Sequence, residues 1–389
     1  MILSYLGGAL ASVLLCMILG LMSDAFAACL NQLVSFQTSA DSTASWITTI
    51  EDVVMEIVVG GAERGIMEYL CGIGLAIAMA YFAIAIIQMA MEDKLTPEQM
   101  LKAGAKLVIS VCVIMWSPDI LEAMFDFGRA FAKMFGDARF HDISVPISGK
   151  VQVAQYSSGS IVGFKTMNFT VGHFDLNDAI DTFFGTYNAI IRAVGLIPGI
   201  NLGASLGVFM WCLLNIALMM IISALVIPII NLCVMFIKLT RIIELGVRGS
   251  LMPIAAGLMA DDGWRGAGGR YVRKLLALCI QLGIVNLTMA ITGIMMQAVM
   301  VYSLAGGIVT VLYQANYYKY GRCSEIVDVP GIITTLSGMC SGDFGTCVLI
   351  IEQLGLGGLN AALGTICVAI AGIGFMFKSL RVAEDLCGV

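Results

Sequence analysis

The sequence predicts an all-α polytopic membrane protein, with about five transmembrane helices after an N-terminal signal-like segment and a small mixed extracytoplasmic insertion. Composition is the first observation behind this reading. Of 389 residues, 59% are apolar and 12% charged, against roughly 45 to 50% and about 25% in soluble domains. A soluble fold has too little interior for that much apolar surface. The second observation is several apolar runs of roughly 20 residues, each long enough to cross a ~30 Å hydrocarbon core. The formal net charge of -6 is small for this length and excludes a global basic field of the kind that binds nucleic acid.

Residues 1–28 are apolar through Met22 and end in Ala25-Phe26-Ala27, an A-x-A site before Ala28-Cys29. That pattern describes a secretory signal, while the lack of Lys or Arg ahead of the apolar run leaves a retained first span as the alternative. Residues 29–66 are acidic. Trp46, Ile50, Val53, Val54 and Ile57 recur at helical spacing, opposite Thr49, Glu51, Asp52 and Glu56, so this extracytoplasmic segment reads as an amphipathic helix.

Residues 67–126 hold the next spans, joined by a cytoplasmic turn near 92–102. Leu70 to Ala90 carries no charge, and Gly72, Ala76 and Ala80 make a stripe of small residues at every fourth position, a device that lets helices approach closely in lipid. Thr96 as N-cap, Pro97 at the first helical position and Gln99 at the third mark a new helix start. That helix meets Ser117-Pro118, where proline ends or kinks it. Asp119 and Glu122 beyond the break are candidate contacts with water, a partner or a lumen, or ordinary interfacial carboxylates.

Residues 127–204 change character and form the extracytoplasmic insertion. Strand-like alternation runs from Ile143 to Phe169, and helical spacing from Leu176 to Ile197. Residues 205–303 contain two spans joined by a basic connection, 238–274. Leu206 to Leu239 is too long for one simple crossing, about 50 Å as a helix, and reads as one long kinked helix or as a hairpin broken at Pro228. Lys238, Arg241, Arg248, Arg265, Arg270, Arg273 and Lys274 outnumber Glu244, Asp261 and Asp262, which places the connection in the cytoplasm. An extracytoplasmic loop follows at 304–347, then the last span at 348–377 and a cytoplasmic tail at 378–389. The N-terminus is thus expected outside and the C-terminus inside.

Most of the 12 cysteines fall inside expected spans. Cys29, Cys323, Cys340 and Cys347 fall outside them. A disulfide between Cys323 and Cys340 would close the outer loop, with Cys347 and Cys29 as competitors. Wide cysteine spacing, with His141 and His173 in another segment, gives no metal site. The chain also lacks G-x-x-x-x-G-K-[ST], H-E-x-x-H and G-x-S-x-G, so neither an enzyme nor a cofactor is expected. Gly357, Ala361, Thr365 and Ala369 form a second small-residue stripe, and Gln281, Thr288 and Thr292 share one helix face, as glue between helices or as the lining of a wet path.

Three segments carry a family likeness: Arg241-Ile242-Ile243-Glu244-Leu245-Gly246-Val247-Arg248, Met252-Pro253-Ile254-Ala255, and Gly268-Gly269-Arg270-Tyr271-Val272-Arg273-Lys274-Leu275-Leu276-Ala277-Leu278-Cys279. With Lys94-Leu95-Thr96-Pro97-Glu98 and the short tail from Lys378, they resemble the TrbL-type polytopic subunit of type IV secretion and conjugal-transfer machines. The likeness covers roughly Glu63 to the end and leaves out the first 60 residues and the insertion. It implies a channel or scaffold in the bacterial inner membrane, in several copies. Its implied partners are the lipid bilayer, a cytoplasmic ATPase, periplasmic secretion subunits and a transient DNA or protein substrate. Arg241, Glu244, Arg248, Arg265, Arg270, Arg273 and Lys274 are then candidate contacts for a partner or substrate, or simply obey the positive-inside rule. A secondary transporter for a small solute is the rival reading, which would require charges near mid-membrane. A structural assembly factor is the third.

Overall fold

The computed structural model describes residues 2–34, 36–60, 65–92, 96–136, 145–157, 160–195, 201–320 and 344–388. Among them, five helical stretches are long and apolar enough to cross a membrane: Leu10–Ala28, Ile66–Met91, Leu206–Ser250, Ala267–Val309 and Ile350–Leu386. This is a multi-pass membrane protein. Its helices are α1 (Ile2–Val34), α2 (Phe36–Val59), α3 (Ile66–Met91), α4 (Pro97–Met115), α5 (Ser117–Gly136), α6 (Leu176–Gly195), α7 (Asn201–Ser250), α8 (Met252–Gly257), α9 (Met259–Asp262), α10 (Ala267–Tyr320) and α11 (Phe344–Leu386). Cys323 and Cys340, the expected disulfide pair, lie outside the described residues.

The chain divides into two compact units. One comprises Met1–Phe36, Phe140–Ile229 and Ile291–Ala371. Here strands β1 (Val145–Ser157) and β2 (Ser160–Phe174) pair antiparallel, Val145 opposite Phe174 and Ser157 opposite Ser160. The strands are 13 and 15 residues long. Helix α6 starts at a reciprocal cap. The Asp178 N–H donates to the Asp175 carboxylate at 2.6 Å, and the Asp175 N–H donates to the Asp178 carboxylate at 3.2 Å. Its Ile180, Phe183, Phe184, Tyr187 and Ile191 recur at helical spacing and are buried. Phe26 of α1 meets Phe184 edge-on with ring centres 5.4 Å apart, and Leu15 and Leu19 are buried too. Cys16 and Phe26 of α1 therefore supply part of the packing around α6.

In the same unit the stripe on α11 works as the spacing predicts. Gly357 lies against the Ser303 carbonyl of α10, Gly358 against the Asn215 side chain of α7 and Gly355 against the Trp211 ring, so any Cβ there would collide. Ala361, Thr365 and Ala369 continue the buried line. Such contacts replace the hydrophobic drive that is missing between helices in lipid.

The other unit comprises Gln37–Arg139, Ile230–Ala290 and Gly372–Val389. Thr96 caps α4 by accepting from the Gln99 N–H at 3.4 Å, with Pro97 just inside the helix. At Ser117-Pro118 the chain bends by 65° into α5. The proline does so because it cannot donate to the preceding turn. Helix α7 spans 50 residues with Pro228 inside it, and enters this unit at Ile230. The basic connection is shorter than expected: 238–250 closes α7 and 267–274 opens α10, leaving 251–266 between them.

Two expectations change here. Ile50, Val53 and Ile57 of α2 are exposed, while Ile47, Glu51 and Val58 are buried, so the packed face is the one that carries a carboxylate. A buried arginine on α7 explains this, since an unpaired charge inside costs far more than an exposed apolar face in lipid. Segments 29–66 and 238–274, expected on opposite sides of the membrane, also meet. Val58 and Met67 share one core cluster with Leu245, Met252, Val272 and Leu275. The ends of α2 and α7 lie at one depth, because buried side chains in contact cannot be separated by a bilayer.

Candidate functional site

The site is built where α2, α5, α7 and α10 converge within this second unit. Arg241 of α7 is 3% exposed, although it follows an uncharged apolar run. Its Nε donates to the Leu278 carbonyl of α10 at 2.8 Å, and its Nη1 donates to Glu51 Oε1 of α2 at 2.9 Å. Glu51 is equally buried, and its other oxygen lies 3.6 Å from Arg129 Nε of α5. Arg129 also pairs with the exposed Asp52. Phe125 of α5 completes the cluster: the guanidinium carbons of Arg129 and Arg241 stand 4.5 and 5.9 Å from its ring centre. The ring's negative face offsets part of the repulsion between the two cations.

One carboxylate thus bridges two arginines from two different helices. The Arg241 Nη2 atom is buried without a hydrogen-bond partner among the described residues. Taking such charges from water costs several kcal/mol per ion and is repaid only by good geometry, so the cluster is weak support for stability taken as a whole. Removing one member alone strands the others. An ionisable residue buried in a span, as Arg241 is in Leu206–Ser250, marks a functional position by default.

The residues singled out from the sequence separate into different settings. Arg241 is occupied internally and is no surface contact. Glu244 and Arg248 pair with each other at 2.5 Å across one helical turn, and Tyr271 donates to the Arg248 carbonyl at 2.8 Å. Arg273 is half-buried and donates to the Gly388 carbonyl at 2.8 Å, which ties the start of α10 to the end of the chain. Arg265, Arg270 and Lys274 are exposed, as are Asp119 and Glu122 on α5. These five remain accessible to a partner.

Gln281 is buried and donates to Ser379 of α11 at 3.2 Å. The Thr288 hydroxyl donates to the Ile284 carbonyl of its own helix at 2.8 Å. Of the two, Gln281 joins one helix to another, while the Thr288 bond stays within its own helix. Glu51, Arg129 and Phe125 were not recognisable as site residues from the sequence. Glu51 lies 190 positions from Arg241, and no local pattern pairs them. The one available signal is that Arg241 lies a single turn after Lys238 at the end of an uncharged run and needs a counter-ion.

No family model matches the chain, and no curated protein and no solved structure is found similar to it.

Proposed function

We propose that this chain is an inner-membrane channel or scaffold component of a type IV secretion machine that transfers DNA or protein. One observation carries the reading. The three segments that resemble the TrbL-type family are contiguous in the fold: the first closes α7, the second forms α8 and the third opens α10. The three longest stretches of the resemblance therefore belong to one connected piece, 241–279. In this reading the exposed Arg270 and Lys274 dock a cytoplasmic ATPase or touch phosphates, and several copies assemble around the substrate path. The membrane is the bacterial inner membrane, with the C-terminus inside.

Isolation of the native complex in mild detergent tests the proposal. Co-purification of a secretion ATPase and periplasmic subunits, with substrate captured by photoreactive residues placed in the spans, is the expected outcome. Reporter fusions after Gly263 and within Val151 to Lys165 should fall on opposite sides of the membrane.

A second reading gains from the buried Glu51–Arg241 pair. A secondary transporter places charges within its spans, and Arg241 lies inside the apolar stretch Leu206–Ser250. If the chain purifies alone and moves a small solute into liposomes, with uptake lost on Glu51→Gln, the secretion reading is overturned in favour of transport.

A further inference from the structure

The connection between α7 and α10 is expected in water, yet it lies against the middle of the most exposed apolar helix in its unit. Met252–Asp261 is a short apolar stretch, about 15 Å as a helix. That is too short to cross and is of the length found in re-entrant or interfacial segments. Its depth follows from its contacts. Pro253 places its carbonyl on Gly74, and Gly257 lies against the Gly74 carbonyl in return. Ala256 and Ala260 pack with Ala78 and Ile114. Ala78 stands at the midpoint of α3, 26 residues long and without charge from Tyr69 to Met91. The outward face of that helix bears Ile73, Leu75, Met79, Ile84 and Ile87, all exposed, as on a helix long and apolar enough to lie in lipid.

Polar groups are found at this same depth. Ser110 of α4 is buried and donates to the Ala256 carbonyl, satisfying backbone that α8 leaves open. Lys106, one turn before Ser110, donates its ammonium to the Asp261 carbonyl. Leu107, beside it, belongs to the cluster around Ala78. Lys106, Asp261 and Arg265 are all exposed. Irregular backbone and charge at membrane depth are tolerated where protein buries them or water reaches them. Protein buries α8. It does not bury these three charged side chains.

We infer that α8 and α9 form a re-entrant segment lodged at mid-depth of α3, and that Lys106, Asp261 and Arg265 border a water-filled recess in the membrane. The inference holds for either functional reading, since it concerns where water goes and not what is carried. In the secretion reading the recess is part of the path, and in the transport reading it is an entrance.

Thiol accessibility tests it on the full chain in native membranes. Cysteines replace Lys106, Asp261 and Arg265 in one set, and Ile73, Ala76 and Met79 of α3 in the other. A charged, membrane-impermeant thiol reagent is applied from each side, and adducts are assigned by peptide mass so that native cysteines do not confuse the result. The first set should react at least roughly tenfold faster, because the thiolate that reacts forms only in water. Slow reaction at both sets would place the charged end in lipid or protein and overturn the recess. Fast reaction at both would mean that α3 is not in the bilayer, and would overturn the re-entrant assignment.

Discussion

On α11 the small residues Gly357, Ala361, Thr365 and Ala369 face neighbouring helices, whereas on α3 the matching stripe Gly72, Ala76 and Ala80 faces outward. Packing on α3 is done instead by Gly74 and Ala78, two positions along. Residues two apart on a helix lie on nearly opposite sides, so α3 carries two small faces and only one has a partner. Charge on α2 divides in the same way: Glu51 is buried against Arg241, while Glu56, on the side of α2 that the sequence reads as polar throughout, is exposed. Spacing shows that a close approach is possible on a face. It does not say which face is taken.

The largest test of this division is charge. Glu51→Ala should destabilise the protein by about 3 to 5 kcal/mol, the usual result of stranding a buried partner. Glu56→Ala should change it by less than about 0.5 kcal/mol, as exposed substitutions do. Thermal unfolding in detergent measures both, and equal losses would refute the buried bridge. A double replacement, Glu51→Leu with Arg241→Met, should recover much of the loss, since apolar residues fill such sites at little cost.

Next come the glycines. Gly74→Leu and Gly357→Leu each drive a side chain into backbone and should cost about 1 to 3 kcal/mol or more. Gly72 has open space around its Cβ position, so Gly72→Leu should leave unfolding within about 0.5 kcal/mol of the parent. A large loss at Gly72 would reveal a partner on the outward face of α3, which differential cross-linking between copies would then locate. A smaller effect is expected at the start of α4, where Thr96→Ala removes the cap and should cost about 1 kcal/mol. Hydrogen exchange at Gln99, whose N–H that side chain accepts from, reads the loss directly.

Local chemistry was legible wherever neighbours in sequence decide the outcome. Thr96-Pro97 starts α4 and Ser117-Pro118 ends it, because capping and the missing proline N–H act within one turn. The change from alternating to helical spacing near Leu176 coincides with the change from strand to helix. The packed face of α2 was not, because Glu51 reads as part of a polar side until Arg241 is brought beside it. The recess was hidden for a related reason. A basic stretch between two apolar runs looks like an aqueous loop, and only contact with Gly74 and Ala78 reveals how deep its apolar centre lies.

Composition alone made this a membrane protein, since an apolar fraction of 59% requires lipid as solvent for much of its surface. Span positions and helix ends followed from hydropathy and capping, both properties of short windows. Tertiary structure alone chose which small stripe packs, which carboxylate neutralises Arg241, and how deep the α7–α10 connection lies. In lipid no solvent preference sorts one apolar face from another, so those choices rest on shape and on the pairing of distant charges.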